Sequence, residues 1–553
     1  MLSLRHSNNG MMVFLCGILF RMLTGAPITN AAPRGKQANG KLRVALAKTC
    51  ETLRNMFSPF LLLSILASVA LLGSAKAAPL AGSKPNIILV ITDDQGMGDL
   101  SCMGNKVVRT PNIDRFYGES MRFTDFQVSP TCAPTRAALM SGRPPFKVGV
   151  THTIMQRERM APDVFTLPQA LQSAGYVTGL FGKWHLGDEE AYLPQNRGFD
   201  EVLMHGAGGI GQVNLGDFPP NKENVYYDNV LLHNDTIVQT KGYCTDLFFH
   251  SALAWIWKQE ETGNPYFAYV ALNAPHAPLV APEAYTNRFI ELGYDPGTAG
   301  RYGMVENIDD NFGLLMEKLE AWNALDNTLV IFMTDNGATH LNGKLNGERV
   351  KHFNANLRGS KNSPFEGGTR VPAFWQWRGR LDTGVDIDGL TAHLDLYPTF
   401  CELAGVSLPD TMQELDGRSL LPLLKDPNAD WPDRKLFFHC GRWNPGKRDA
   451  AVDEKCAVRT TEWRLVNNEQ LYHIATDPSE TIDVAANHPE VVSNLRKAYL
   501  EWWDSTLPFL VNEGLPRVGP EEQPFALRYE KQLAEKGIPE WAPEGLDQIE
   551  AAQ

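Results

Sequence analysis

Acidic and amide side chains follow two strongly apolar segments of the chain. Asp93 and Asp94 come just after the first segment, and Asp335 and Asn336 come just after the second. Such segments predict buried strands, and open α/β sheets place their sites at the carboxyl ends of strands. Either pair alone is also typical of a solvated turn. Together they offer four oxygen donors, which suit Ca²⁺ or Mg²⁺ rather than zinc.

Cys132 begins another segment whose residues could take part in a reaction. The run Cys132–Arg143 has an alanine-rich middle, which predicts a short helix that ends at Gly142. Residue 132 is therefore expected at a helix N-terminus, where the partial positive charge of the helix favours anions. Cysteine is also among the residues most often buried for packing alone, so this position needs partners before it indicates a reactive site.

Basic groups follow further apolar runs. Lys183 and His185 end a strand-like run, His276 comes just beyond another, and Lys361 lies in a glycine-rich segment. A lone lysine is usually a solvated surface group, and a lone histidine is usually structural. On residue type alone, none of these four residues is assigned to a site.

The run Cys132-Ala133-Pro134-Thr135-Arg136 resembles the signature at which sulfatases convert a cysteine into formylglycine, which is 3-oxoalanine. The segment around Lys183 and His185 resembles the second sulfatase signature, and the other groups occur in the family's chain order. Over about residues 84–425 the chain is therefore similar to sulfatases of the alkaline-phosphatase-like fold. The resemblance implies hydrolysis of sulfate esters, with a formylglycine-generating maturation enzyme as a partner.

The resemblance also implies a role for each residue. A Ca²⁺ ion, or alternatively Mg²⁺, would be bound by the acidic and amide groups and the modified cysteine: Asp93, Asp94, Cys132, Asp335 and Asn336. Arg136 and Lys183 would hold the formylglycine hydrate, and Lys361 would bind sulfate oxygens together with Lys183. His276 and His185 would handle protons.

The modified cysteine would offer chemistry that a serine or a thiol lacks. A hydrated aldehyde has a second hydroxyl, which can expel sulfate as the aldehyde re-forms. The metal ion and the lysines would stabilise charge on the sulfate oxygens, and His276 would protonate the departing oxygen.

Three functions share these residues. The first is hydrolysis of a sulfated small molecule or sulfated carbohydrate, and the second is hydrolysis of a phosphonate or phosphodiester. The third is a catalytically silent protein that binds sulfated glycans, against which the intact Cys132-x-Pro-x-Arg pattern argues. The loop Gly441–Lys455, with Arg442, Lys447 and Arg448, is predicted to select the leaving group.

A glycine-rich segment resembles a dinucleotide-binding motif. Gly206–Gly211 matches G-x-G-x-x-G after a strand-like run, but no helical pattern follows before Pro219. A dinucleotide site needs that helix, so this function is not predicted. The resemblance also implies a further polar residue near 204–211, for which His205 is the candidate.

The elements that must position these residues alternate between strand and helix patterns over 84–425. This alternation predicts an α/β fold in which a large, mainly parallel sheet is sandwiched by helices. We expect a leader at 1–78, a catalytic domain at 79–428 and a C-terminal α+β subdomain at 429–553, whose tail beyond Pro508 is irregular. A disulfide between Cys440 and Cys456 is left open.

The composition restricts partners and location. The 553 residues carry a formal charge of −13, which argues against a nucleic-acid partner. The leader is basic, and its apolar stretch Phe60–Leu72 is followed by an A-x-A pattern at 75–77 that predicts signal-peptide cleavage. We therefore expect export, to the periplasm or outside the cell, and no stable membrane span after cleavage.

Overall fold

A computed structural model describes residues 79–222 and 226–545, so the predicted leader lies outside the described residues. Strand-forming apolar runs build a ten-stranded sheet in the order β13-β2-β12-β9-β1-β8-β4-β5-β6-β7. Its strands are β1 Asn86–Thr92, β2 Met121–Phe123, β4 Val177–Lys183, β5 Glu201–His205, β6 Val230–His233, β7 Thr236–Gln239, β8 Tyr266–Ala271, β9 Thr328–Thr334, β12 Ala373–Gln376 and β13 Val385–Ile387.

Three small sheets accompany the large one. They consist of β3 Phe126–Gln127 with β14 Thr391–Ala392; β10 Asn342–Leu345 with β11 Glu348–Lys351; and β15 Leu436–His439, β16 Cys456–Arg459, β17 Trp463–Val466 and β18 Gln470–His473.

The helices cover both faces of the large sheet and support the smaller ones. They are α1 Pro111–Glu119, α2 Cys132–Ser141, α3 Leu167–Ser173, α4 Cys244–Thr262, α5 Glu283–Glu291, α6 Pro296–Ala321, α7 Glu366–Thr369, α8 Leu396–Ala404, α9 Leu421–Lys425, α10 Pro489–Thr506 and α11 Pro524–Lys536.

The central strands are apolar on both sides because both faces of the sheet are covered. On β1, Ile87 and Leu89 pack into one core cluster with α2 and α8, whereas Ile88 and Val90 pack into another with α4 and α6. All four side chains are fully buried. This burial explains why the strand reads as a continuous apolar run instead of an alternating one.

Five neighbouring strands position the residues predicted to form the site. The order β9-β1-β8-β4-β5 is parallel throughout, so the carboxyl ends of these strands meet at one edge of the sheet. Helix α2 begins at Cys132 and ends at Ser141, and its C-cap Gly142 has a left-handed φ of 65°. Both helix ends are those the sequence predicts.

The C-terminal sheet packs against α10 through aromatic residues. Trp443, Trp502 and Trp503 are buried in a further core cluster between this sheet and α10, which is typical of structural tryptophans. The fully buried Arg464 joins this sheet to the large domain through an ion pair with Glu366 at 2.6 Å.

The tail differs from its prediction. Its Pro- and Glu-rich composition predicts irregular chain, but residues 524–536 form α11. On this helix, Gln532 accepts a hydrogen bond from the Ile237 N–H and donates one to the Ile237 carbonyl, at 2.9 and 2.7 Å. Gln239 also exchanges backbone bonds with Pro539 and Trp541. The tail is ordered because it supplies partners for the edge strand β7.

The predicted α/β class is confirmed, with a mostly parallel large sheet and a smaller C-terminal antiparallel sheet. The six cysteines in the described part of the chain are free, so Cys440 and Cys456 are not bridged there. The proposed domain boundary at 428/429 stays a prediction. None of the helices that the structure describes is both long enough and apolar enough to cross a membrane.

Candidate active site

The groups predicted to bind a cation lie together at the carboxyl edge of the sheet. Asp93, Asp94, Asp335 and Asn336 are all buried. The Asp94 N–H donates to Asp335 Oδ1 at 3.3 Å, and Asn336 Nδ2 donates to Asp94 Oδ1 at 2.9 Å. Ligand atoms of Asp93, Cys132 and Asp335 lie within 4.8 Å of one another. Two strand ends and one helix thus meet at one point.

Two buried oxygen atoms indicate that this cluster fits a cation. Asp93 Oδ1 and Asn336 Oδ1 have no hydrogen-bond partner among the described residues. Burial, and next the charge of Asp93, raise the pKa of Asp335 well above its usual value. Unpaired buried acceptors and neighbouring carboxylates are both unfavourable without a counter-charge. Because the orphaned atoms of Asp93 and Asn336 are both hard oxygens, the residues fit Ca²⁺ or Mg²⁺.

Two lysines contact the carboxylates. Lys183 Nζ lies 2.6 Å from Asp93 Oδ2, and Lys361 Nζ lies 2.5 Å from Asp94 Oδ1. Burial opposes ionisation of Asp93, but Lys183 and three further basic groups hold the pKa of that carboxyl below its usual range. Burial also opposes the charge of Lys361, but Asp94 raises its pKa. The lysines supply positive charge beside Cys132.

Cys132 lies at the first position of α2 and is 2% exposed. The preceding Thr131 makes no side-chain capping bond to the helix. Burial disfavours the thiolate, but Lys183 and Lys361 lower the pKa of the thiol below its usual value. The uncapped helix N-terminus and the two lysines together favour an anion at this position.

Arg136 lies one helical turn beyond Cys132 and is fully buried. Its Nη2 and Nε donate to Asp335 Oδ2 at 3.0 and 3.2 Å, and its Nη1 donates to the Lys183 carbonyl at 2.9 Å. The guanidinium therefore connects α2 to the ends of β9 and β4. These bonds hold Cys132 in a fixed position relative to both strand ends.

Comparison with protein families agrees with this arrangement. The sulfatase family model matches residues 85–406, which is more than half of the chain. The chain belongs to the sulfatase family. A second family model, described as N-sulphoglucosamine sulphohydrolase, C-terminal, matches residues 360–502. Membership confirms the resemblance carried by the cysteine segment and makes this protein a hydrolase of sulfuric esters.

Curated relatives of this sulfatase include two human enzymes. The chain is 33% identical to human N-acetylgalactosamine-6-sulfatase over 386 residues, covering 65% of this chain and 69% of that protein. It is 31% identical to human arylsulfatase A over 477 residues, covering 77% and 89% of the two chains.

Solved structures show the same fold. The structure of Ps i-CgsB in complex with k-i-k-neocarrahexaose superposes with a TM-score of 0.67 at 29% identity, covering 82% of this chain and 98% of that one. A phosphonate monoester hydrolase of Agrobacterium radiobacter superposes with a TM-score of 0.55 at 19% identity, covering 76% and 96%. The second likeness concerns the fold alone.

Two histidines flank the sulfatase site in different hydrogen-bonding states. His276 Nδ1 bonds to the Ala277 carbonyl at 2.8 Å, and its Nε2 lies 3.8 Å from Asp94 Oδ2. His185 Nε2 bonds to the Thr153 carbonyl at 2.8 Å, and its buried Nδ1 has no partner in the described part of the chain. Because a carbonyl only accepts, each bonded nitrogen carries a proton. Burial, and next Lys183, lower the pKa of His185 well below its usual value.

The glycine-rich loop lies between these histidines. A Cβ atom on Gly208 would stand 2.5 Å from His185 Cε1, and one on Gly209 would stand 3.4 Å from His276 Cε1. The described residues that follow form a 3₁₀ turn at Val213–Leu215 and no α-helix before Pro219, which supports rejecting a dinucleotide site. The loop instead lines the sulfatase site, where its missing side chains leave room.

Sequence reasoning missed two residues of this site. Gln95 is fully buried, and neither atom of its amide has a partner among the described residues. Tyr226 donates to the His276 carbonyl at 2.6 Å and so supports that loop. The position of Gln95 beside Asp94 is a signal that could have been read, whereas nothing in the sequence connects Tyr226 to His276.

The remaining predicted residues have distinct surroundings. His205 ends β5 and is buried, and burial lowers its pKa to about 3. In the loop 441–455, Arg442 Nη2 donates to Thr153 Oγ1 at 3.0 Å. Arg448 instead pairs with Asp449 at 2.8 Å, and Lys447 is exposed. Of Arg442, Lys447 and Arg448, Arg442 is thus the one that contacts a neighbour of His185.

Proposed function

We propose that this sulfatase removes sulfate from a sulfated carbohydrate, using formylglycine formed from Cys132 and a bound Ca²⁺ or Mg²⁺. The observation that carries the proposal is the position of Cys132. It lies at a buried helix N-terminus, close to the carboxylates of Asp93 and Asp335. Although burial disfavours the thiolate, the positive charges of Lys183 and Lys361 lower the pKa of its thiol. A hydrolase that used the thiol itself would have no need of so many carboxylates beside it.

The cation would be held by the oxygen atoms at the two strand ends. Asp93, Asp94, Asp335 and Asn336 would bind it together with the modified residue 132. When bound, it would supply a fixed positive charge that polarises the sulfate group and favours the deprotonated nucleophile. The orphaned oxygens of Asp93 and Asn336 support this assignment.

Formylglycine hydrate supplies a nucleophilic hydroxyl and a second hydroxyl for release of the product. Arg136 orients the residue that carries it, because its guanidinium joins α2 to Asp335 and to the Lys183 backbone. Lys183 and Lys361 contact carboxylates that a cation would neutralise. Their ammonium groups would then bind sulfate oxygens and stabilise charge that develops on them.

The two histidines are suited to opposite tasks. His185 is neutral and presents an unprotonated Nδ1, so it accepts a hydrogen bond from a hydroxyl in the site. In its protonated form, His276 keeps the Nδ1 bond to Ala277 and carries a second proton on Nε2 near Asp94. That second proton is the one we assign to the leaving oxygen.

A carbohydrate substrate is proposed from the relatives. N-acetylgalactosamine-6-sulfatase is named for a sugar sulfate, and Ps i-CgsB was crystallised with a neocarrahexaose. The phosphonate alternative is supported only by a fold-level likeness. We also propose export directed by the predicted leader, and modification of Cys132 by a formylglycine-generating enzyme.

Production in a host with and without the maturation enzyme tests this proposal. Mass spectrometry of the tryptic peptide that contains residue 132 should show an aldehyde only in the first preparation, and only that preparation should hydrolyse 4-nitrophenyl sulfate. Cys132→Ala should be inactive, whereas Cys102→Ala, at a half-buried position outside the site, should stay active. Full activity with an unmodified thiol, or faster hydrolysis of a phosphonate monoester than of any sulfate ester, would overturn it.

A further inference from the structure

Positive charge accumulates just outside the proposed catalytic residues. Beyond the effect of burial, three arginines, Arg442, Arg157 and Arg517, lie near enough to His152 to lower the pKa of its ring. The chain as a whole carries a formal charge of −13. A local basic cluster in an acidic protein indicates attraction of an anion to that place, because the overall field does not supply it.

Arg442 is the central member of this cluster. It is half-buried, its backbone N–H donates to the Thr151 carbonyl at 3.0 Å, and its Nη2 donates to Thr153 Oγ1. No carboxylate lies within 4.0 Å of its guanidinium in the described part of the chain. A guanidinium has five N–H donors and a planar fork that matches a carboxylate or a sulfate, and most of this capacity is unused here.

Arg157 shows the contrast between a structural arginine and Arg442. Arg157 pairs with Glu513 at 2.8 Å, donates to the Trp443 carbonyl at 2.7 Å, and lies over the Trp443 ring. Its charge is compensated, and its bonds hold the residue that follows Arg442. These bonds thus fix the backbone beside Arg442, whereas the guanidinium of Arg442 has no acidic partner among the described residues.

His152 adds a directed donor to the cluster. Its Nδ1 accepts hydrogen bonds from the N–H groups of Thr153 and Ile154, at 2.8 and 3.1 Å. The proton of the neutral ring is therefore on Nε2, and no described residue accepts it. Burial, and next Arg442, lower the pKa of His152 to about 3, so the ring is neutral at physiological pH. It acts as a donor of fixed orientation.

The cluster adjoins the catalytic residues on their outer side. Thr153 connects the two regions, because its carbonyl bonds to His185 and its hydroxyl accepts from Arg442. Exposure rises along this path, from the fully buried Lys183 through the buried His185 to the half-buried Arg442. A substrate whose sulfate lies at the buried end would extend outward past Thr153.

We propose that Arg442 and His152 form a subsite for a second anionic group of the substrate, a carboxylate or a further sulfate carried by the same sugar chain. This inference rests on the proposed carbohydrate sulfatase function and makes it more specific. The substrate class is then a carbohydrate with two anionic groups, one of which is hydrolysed at residue 132.

Matched substrates test the subsite in the full-length, matured enzyme. Three substrates share one sulfated sugar: a monosulfated disaccharide, the same disaccharide with a uronate as its second sugar, and the same disaccharide with a second sulfate. The unaltered enzyme should prefer at least one doubly anionic substrate, mainly through a lower KM. Arg442→Gln should reduce that preference by about 10- to 100-fold, the range for a charge-assisted hydrogen bond.

Control variants separate recognition from general effects. Arg496→Gln removes the same charge from an exposed helix position and should leave the preference unchanged. Arg442→Lys keeps the charge without the planar fork and should keep part of the preference. The Cys132→Ala variant should still bind the preferred disaccharide in calorimetry, and Cys132→Ala combined with Arg442→Gln should bind it about 10- to 100-fold more weakly.

The outcomes distinguish the subsite from the function on which it rests. Preference for the uronate or for the second sulfate identifies the source of the anion. If the unaltered enzyme hydrolyses all three substrates equally, or if Arg442→Gln slows all three by one factor, the subsite is wrong and the sulfatase assignment stands. If the matured enzyme hydrolyses neither these substrates nor 4-nitrophenyl sulfate, the proposed function itself fails.

Discussion

The guanidinium of Arg136 contacts Asp335 Oδ2 through two nitrogen atoms, at 3.0 and 3.2 Å, although 199 residues separate them in sequence. Both side chains are fully buried. The pair places the helix that begins at Cys132 against the strand that ends in the acidic cluster. The cation ligands and the residue to be modified therefore depend on each other for their position.

Breaking this pair should cost both stability and activity. Arg136→Met leaves Asp335 buried beside Asp93 without its guanidinium, and removal of one partner from a buried pair costs about 3–5 kcal/mol. Urea unfolding of the two proteins measures the loss, and saturating Ca²⁺ should recover part of it. Arg378→Met, in an exposed pair with Glu320, is the control and should cost at most about 1 kcal/mol. Equal losses for the two variants would contradict the assignment.

Removal of the cation should lower the thermal stability of the matured enzyme. A ligand that binds only the folded state stabilises it by about 2.7 kcal/mol when its free concentration is 100 times Kd. Chelation should therefore lower the Tm, and excess Ca²⁺ or Mg²⁺ should restore it. Asp335→Asn should weaken both effects. Metal analysis that finds one zinc ion per chain, or a Tm that chelators do not change, would count against the four oxygen ligands.

Loss of His276 should affect substrates according to their leaving groups. Nitrophenolate departs readily without a proton, whereas a sugar alkoxide does not. His276→Ala should therefore reduce kcat/KM for a sugar sulfate about 10²- to 10⁴-fold more than for 4-nitrophenyl sulfate. His233→Ala, which removes a half-buried histidine on β6, is the control for the loss of an imidazole. If both substrates slow by the same factor, His276 binds sulfate or supports structure, and the acid is another group.

The glycine loop offers a steric test that is independent of charge. Gly208→Ala places a methyl group 2.5 Å from His185 Cε1, so the ring must move and activity should fall at least about tenfold. Gly209→Ala places it 3.4 Å from His276 Cε1 and should be milder. Gly118→Ala, where no atom lies within 4 Å, should leave activity unchanged. Similar rates for all three variants would show that the loop does not line the active site.

A buried histidine away from the site predicts one component of acid sensitivity. The Ser129 N–H donates to His393 Nε2 at 3.2 Å, and burial is the largest of the causes that lower the pKa of this ring to about 3. The folded pKa lies below the ordinary value near 6.5, so the associated stability is present above pH 6.5 and is lost as pH falls towards 3. Between pH 6 and 4 the unaltered protein should lose about 1.4 kcal/mol per pH unit more than His393→Gln.

Denaturant titrations of the two proteins at several pH values measure that difference. Comparison of the variants removes the contributions of other groups, such as the buried Glu480, whose pKa is raised to about 7 mainly by burial and which acts in the opposite direction. Parallel pH profiles for the two proteins would show that His393 accepts a proton in the folded state.

The sequence alone predicted those features of the fold and the site that depend on local pattern and on chain order. Continuous apolar runs predicted β1, β8 and β9, and the alternation of strands and helices predicted the fold class. The helical spacing of Phe312, Leu315, Met316 and Leu319 predicts a helix over about residues 306–325. The structure has α6 beginning ten residues earlier, at Pro296, and the pattern misses these first turns because they contain three glycines and little apolar periodicity. The N-cap Asp295 and the following proline are the local signals that mark its true start.

Other features depend on contacts between distant segments. The bond from Tyr226 to the His276 carbonyl and the contact between Arg442 and Thr153 join residues that are 50 and 289 positions apart. No spacing rule or propensity predicts such pairs. The tail helix is a similar case, because its composition is typical of irregular chain and its order comes from its contacts with β7.

Those contacts between the tail and β7 have a consequence for synthesis of the protein. The edge of the large sheet obtains its last hydrogen-bond partners from Gln532, Pro539 and Trp541. A ribosome must therefore translate more than 290 residues beyond β7 before that strand is covered. During that interval the open strand can pair with any nascent chain nearby, so this edge is one at which a chaperone would be useful.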